Sequence, residues 1–336
     1  METNQSLLSV LTREGVLIKV SVRFWRGCKK LKPEDIGLKQ ADLSDRLISL
    51  GHKRLLPKDS IAGLAILEGR AHALVEANTF PFLNGLGHFL PNAKLKEVTD
   101  TLKIVESEFW QAKREFLQQY GSLREEAAKE WKTMAKKLVQ DPERLTAAIE
   151  SSFPFADQMD RYYSFHVQLF QISLPERISM ELVDLAEQQE ISQARQQAAQ
   201  EASQKVKAGV ESFVADCVAS LREQTATLCQ DMLHSINSCE TGVHQKTLNR
   251  LVRFIDQFKQ MNFVDDREME QQLEHVRKEL LSKSAEEYRD SKTARRRLVA
   301  GLSQLANHAQ VLAKQDASEL VQRFGQMGHR KFHLAA

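Results

Sequence analysis

Near the N-terminus one indole lies among five cations: Trp25, Arg26, Lys29, Lys30, Lys53 and Arg54. They fall in two segments, Trp25-Arg-Gly-Cys-Lys-Lys-Leu-Lys-Pro-Glu-Asp-Ile-Gly-Leu38 and Ser49-Leu-Gly-His-Lys-Arg-Leu55, which share a glycine followed by basic residues. Guanidinium and ammonium groups around an aromatic ring could bind phosphate or an acidic partner surface. The same residues also admit a structural reading. Glycines would set turns, and basic stems would cover an aromatic core while their charges stay in water.

No other constellation identifies a reaction. The sequence has no Gly-x-x-x-x-Gly-Lys-Ser/Thr loop, and Gly85-Leu-Gly87 lies between prolines instead of between a strand and a helix. No Cys-x-x-Cys or His-Glu-x-x-His spacing occurs. Zinc held by Cys229, Cys239, His234 and His244 would need a sharp bend in a helical stretch, so these residues read as buried or incidental. His166 reads as a packing or capping residue, Asp265-Asp266 as a helix cap, and Arg295-Arg-Arg297 as a solvated helix face. The expectation is a protein without enzymatic activity, cofactor or metal.

Charge is uneven although the net is +2. Residues 1–60 hold 12 Lys/Arg against 7 Asp/Glu, and residues 291–336 hold 8 against 2, so the middle is acidic. Basic ends around an acidic middle suit nucleic acid, acidic protein partners or plain solvation. The longest apolar run, Ile61–Leu67, is far short of the roughly 20 residues that span a bilayer. Met1-Glu-Thr-Asn-Gln does not start a signal peptide. Cys28, Cys217, Cys229 and Cys239 show no close pairing, which suits a reducing cytosol.

The elements that must position these residues divide at the last proline. All seven prolines lie at or before Pro175, and all three tryptophans precede Lys132. Proline breaks helix interiors, so the expected fold is mostly α: a small α+β head over 1–175 with a two-stranded sheet, then a long antiparallel, coiled-coil-like helical tail over 176–336. In the head, residues 16–25 alternate, with Val16, Ile18, Val20, Val22 and Phe24 on one face, as in a half-buried strand. A second strand is expected over 163–172, with Tyr163, Phe165, Val167 and Leu169 inward, pairing with the first. Asp59-Ser60 should cap a helix over 61–78, and residues 81–91 read as an apolar loop. A heptad stripe from Leu95 through Phe116 to Gln119 predicts a helix of about 25 residues. Ser122-Leu-Arg-Glu125 resembles a capping box opening the next one, and Asp141-Pro142 opens another.

In the tail, helices are expected over 175–240, 243–262 and 266–324. Two apolar seams run along them: Val206, Val210, Phe213, Cys217, Leu221, Leu228, Met232 and Ile236, and Met269 through Leu312. A hairpin turned near 240–265 would set the Gln/Ala-rich residues 187–204 opposite Ala306, Ala309, Ala313 and Ala317.

The motifs Phe24-Trp-Arg-Gly-x-Lys-Lys-Leu, Glu34-Asp-Ile-Gly-Leu38, Leu50-Gly-x-Lys-Arg-Leu55, Gly69-Arg-Ala71, Glu108-Phe-Trp and Arg161-Tyr-Tyr-Ser-Phe-x-Val-Gln carry a resemblance. Over about residues 10–175 the chain resembles a bacterial domain-of-unknown-function family, the one numbered thirty-one fifty, with the likeness fading in the tail. The resemblance implies a setting: mobile elements and phages, beside a MoxR-type AAA ATPase and a von Willebrand A-domain protein. It therefore implies a non-catalytic adaptor, scaffold or substrate of that ATPase system in mobile-element maintenance or phage defence. Together with the cysteine usage and the long helices, the expectation is a cytoplasmic protein whose head docks a partner and whose tail self-associates or presents a long surface. It supplies no catalytic residues. The alternative is a structural protein that binds nucleic acid through its basic ends.

Overall fold

The computed structural model describes residues 2–36, 50–85, 87–171, 187–238, 243–315 and 317–324. In chain order the elements are α1 (Glu2–Glu14), β1 (Gly15–Arg23), β2 (Cys28–Lys30), β3 (His52–Arg54), α2 (Ala62–Ala77), β4 (Phe80–Phe82), β5 (Gly87–Pro91), α3 (Asn92–Leu138), α4 (Pro142–Glu150), β6 (Ser164–Phe170), α5 (Glu187–Ser238), α6 (Gln245–Met261), α7 (Arg267–Leu280), α8 (Ala285–Asp290) and α9 (Lys292–Lys314). The protein is mostly α, and its small antiparallel sheets all lie between Gly15 and Phe170. Two compact units interleave in sequence: Met1–Ile18, Asn78–Lys96 and Leu169–Ala336 form one, and Lys19–Ala77 with Glu97–Gln168 form the other.

The sheet is larger than the expected two strands. One sheet has the order β4-β5-β1-β6, and β2 pairs with β3 in a separate ribbon. The apolar loop expected over 81–91 is instead a hairpin, with Phe80 opposite Phe89 and Phe82 opposite Gly87. Pro81 is tolerated because β4 is an edge strand, where a missing N–H disrupts no inner ladder. Gly15–Ile18 of β1 pairs antiparallel with β5. Of the inward face expected for this strand, Tyr163, just ahead of β6, and Phe165 are buried, but Val167 is half-buried and Leu169 is 49% exposed.

In the unit that contains β4, β5 and α5–α9, the phenylalanines of the hairpin meet those of the helices. The Phe213 ring stands edge-on to Phe82 at 4.8 Å, and Phe263 lies 4.8 Å from Phe89 and 5.7 Å from Phe324. Both tail seams are buried, from Val210 to Ile236 and from Met269 to Leu312. Arg222 Nη1 donates to Leu312 O, and Arg295 Nη2 donates to Ile236 O, each at 2.7 Å. These two bonds make α5 and α9 antiparallel and set Leu312 level with Arg222. The Ala-rich residues of α9 therefore lie along the middle of α5 instead of opposite 187–204. Gly242 and the expected helix start at Pro175 lie outside the described residues.

The third expected tail helix is broken. Asp266 caps α7 as anticipated, accepting from Met269 N. Helix α7 then stops at Leu280; Ser284 and Glu287 form a reciprocal capping box that opens α8, and Ser291 caps α9. Conversely, α3 runs unbroken for 47 residues through the expected start at Ser122. There the Ser122 hydroxyl bonds back to Gln119 O. Phe116, Tyr120 and Ala127 are all buried, so ending the helix at Ser122 would expose a continuous apolar face.

Arg222 and Asp266 are 4% and 2% exposed, with Nε donating to Oδ2 at 2.7 Å. Asp266 also receives Met269 N and donates its own N–H to Asn262 Oδ1. Arg222→Ala should destabilise this unit by about 3–5 kcal/mol, because it strands a buried carboxylate. The joint replacement Arg222→Met with Asp266→Asn should cost less than the single change. Urea unfolding of the three proteins tests this, and equal stability of Arg222→Ala and wild type would contradict it.

Candidate functional site

The basic segments form a two-stranded ribbon. Cys28 pairs with Arg54, Lys29 with Lys53, and Lys30 with His52. Glycines make this possible: Gly27 has φ +61° and Gly51 has φ +72°, a backbone conformation that side chains other than glycine rarely adopt. Gly27 O accepts from Leu55 N, and Gly51 O accepts from Leu31 N, so the two turns close both ends of the ribbon.

The six candidate residues do not act alike. Trp25 is buried, 5.7 Å edge-on from Tyr120 and near Phe116 and Phe153. It belongs to the core of its unit and cannot form part of a docking surface. Lys53 is 6% exposed and donates to Asp35 Oδ2 at 2.7 Å. Arg26 lies over the Phe24 ring and grips Glu68 with two bonds of 2.8 and 2.5 Å. Lys29, Lys30 and Arg54 remain exposed, each without an ion pair among the described residues. The structural reading of these segments thus holds for three residues, and the surface reading survives for the other three.

Three residues that sequence reasoning passed over complete the arrangement. Exposed His52 lies across from Lys30, and period-two alternation in Leu50-Gly-His-Lys-Arg-Leu55 is the signal that could have found it. Asp35 anchors the ribbon from the 3-10 turn Pro33–Ile36, accepting also from Lys32 N. Trp131 on α3 donates its indole N–H to Arg54 O at 2.8 Å, a contact that no local pattern encodes.

Burial alone would raise the Asp35 pKa. The Lys53 hydrogen bond, the Lys32 N–H and both lysine charges outweigh it and hold the carboxyl below its ordinary value. A depressed folded-state pKa contributes stability at neutral pH that is lost as pH falls. In the buried helices, desolvation pushes the Cys229 thiol up to about 12 and the Cys217 thiol well above its ordinary range, the latter helped by Asp216. Among the described residues no three His, Cys, Asp or Glu side chains gather closely enough to hold a metal ion. Cys239 lies outside the described residues. No described helix is long and apolar enough to cross a membrane.

A family model described as "protein of unknown function (DUF3150)" matches residues 12–287. The chain belongs to the DUF3150 family. The match extends well past Pro175, so α5, α6 and α7 are part of what defines the family, and the likeness does not fade where the prolines end. No curated protein and no solved structure matches the chain.

Two outcomes follow. As pH falls from about 4, the unfolded value of an aspartate, through the lower folded value of Asp35, wild type should lose stability that Asp35→Asn has already lost. Urea midpoints at stepped pH read this, and identical acid limbs would remove the role given to the pair. Under native conditions a maleimide should modify Cys28 while sparing Cys217 and Cys229, because the thiolate is the nucleophile. Peptide mapping showing early labelling of either buried cysteine would contradict their inertness.

Proposed function

We propose that this DUF3150 protein is a non-enzymatic adaptor or scaffold, or a remodelled substrate, of a MoxR-type AAA ATPase and a von Willebrand A-domain partner. Its setting would be cytoplasmic, in mobile-element maintenance or phage defence. The observation that supports it best is the ribbon. The Lys53–Asp35 ion pair holds its buried side, and Lys29, Lys30 and Arg54 are left exposed, Lys30 and Arg54 together with His52 on the opposite face. A platform of this kind suits docking against a larger acidic surface more than enclosing a small substrate. The 52-residue α5 suits a partner that pulls on polypeptide, since long helices open locally. The tail seams are filled within the chain, so self-association would draw on other surfaces.

A second reading is contact with nucleic acid. A two-stranded ribbon is narrow enough to enter a major groove, and Lys30, His52 and Arg54 share one face of this one.

Affinity capture with tagged full-length protein should retain the ATPase or the A-domain protein encoded beside it. Retention should fall with the triple change Lys29→Glu, Lys30→Glu and Arg54→Glu. Capture of neither partner would overturn the adaptor reading. Retention of a DNA duplex, with binding that falls steeply as salt rises, would favour the second.

A further inference from the structure

The four-stranded sheet has two edges, and they are finished differently. At one end β4 is three residues long and carries Pro81, which offers no N–H to a further strand. At the other end β6 runs for seven residues, Ser164-Phe-His-Val-Gln-Leu-Phe170. Among the described residues it has β1 on one side and no strand on the other. It contains no proline, glycine, lysine, arginine, aspartate or glutamate. Native sheets blunt an open edge with charges, prolines or short strands, because its free N–H and C=O groups template pairing with another chain. Here one edge is blunted and the other is not.

The side chains of β6 follow the same pattern. Alternation puts Phe165, Val167 and Leu169 on one face and Ser164, His166, Gln168 and Phe170 on the other. The apolar row begins under cover, with Phe165 4% exposed, and runs out of it, with Val167 half-buried and Leu169 49% exposed. On the other face His166 and Gln168 are exposed, and Phe170 is 46% exposed.

This strand is complementary to itself. Two antiparallel copies related by a two-fold axis at Val167 set position 165 opposite 169, 166 opposite 168 and 164 opposite 170. The uncovered Leu169 then meets Phe165 of the other copy, Val167 meets its counterpart, and His166 meets Gln168. Apolar residues face apolar ones in one row, and His166 and Gln168 face each other in the other. The axis stands perpendicular to the sheet, so both apolar rows stay on the same side of it. No like charges are opposed.

We propose that β6 pairs antiparallel with β6 of a second copy, joining two four-stranded sheets into one and making the protein a two-fold dimer. The proposal is independent of the ATPase reading and supplies a surface for self-association outside the filled tail seams. An acidic surface or a nucleic acid finds no charge to read on this edge. A strand from a different protein would satisfy the backbone, but the isolated protein would then be monomeric.

Sedimentation velocity of the full-length protein over a range of concentrations should reveal a species of twice the 38.3 kDa chain mass. His166→Lys with Gln168→Lys sets like charges opposite each other twice in the pair and should weaken dimerisation at least about tenfold. His166→Glu with Gln168→Glu should do the same. Mixing the two double variants should restore the dimer, because opposite charges then face each other. Leu169→Lys, in the apolar row, should also weaken it, and Ile66→Glu, at an exposed position on α2, should not. A monomer at every concentration overturns the proposal. So does a dimer indifferent to both double variants, or one that both weaken and the mixture fails to restore. Far-UV circular dichroism melts check that each variant folds, and a restored mixed dimer shows it directly.

Discussion

A charge withdrawn from water must meet an opposite charge, and each of the two units is arranged around one such meeting. In the helical unit Arg222 reaches from α5 to the capping carboxylate of α7 and the Leu312 carbonyl in the last turn of α9. Neither ion would be tolerated alone at that burial. In the other unit Lys53 is drawn inward to Asp35, which fixes a 3-10 turn against the ribbon. Such pairs add little net stability over apolar residues of the same size, but a misregistered arrangement leaves both partners stranded. They act as register pins: one for the antiparallel seating of α5 on α9, one for the pairing of β2 with β3.

The division of labour among cations follows from this. Lys53 and Arg26 have carboxylate partners inside their own unit, so they hold structure. Lys29, Lys30 and Arg54 have none among the described residues and are exposed on the ribbon, Lys30 and Arg54 on one face of it. A rigid ribbon loses little conformational freedom when a partner arrives. The indole of Trp131 ties that ribbon to α3, whose final turns leave Met134 and Leu138 exposed.

Local signals were legible where their cause is local. Asp141 and Asp266 cap helices as their sequences suggest, because a cap involves residues a few positions apart; β1 alternates as read from Ile18 to Arg23, but Leu17, on the face read as outward, is buried as well. Local signals misled where burial outweighed them. Ser122 has the pattern of a cap, but the buried face through Phe116, Tyr120 and Ala127 carries α3 past it. Pro81 disguised β4, since a proline argues against a strand until the strand is known to be an edge. Ser284 carries a genuine capping box that was lost in a longer apolar periodicity. Of the candidate site, the cationic character of the ribbon was visible; the internal neutralisation of Lys53 and Arg26 was not, because Asp35 and Glu68 lie 18 and 42 positions away.

The sequence by itself determined a mostly helical protein, an early β component, a proline-free helical second half, and a family signature around the first strand. These follow from composition and short-range periodicity, which act before the chain is folded. Only the tertiary structure decided that the chain ahead of Pro175 contributes to both units, that the tail seams close on each other, and that Trp25 and Lys53 belong to the interior. It also decided that Lys30, His52 and Arg54 share one face of a ribbon. Those outcomes depend on which distant side chains fill the same desolvated space, and pairing of that kind has no period to read along the chain.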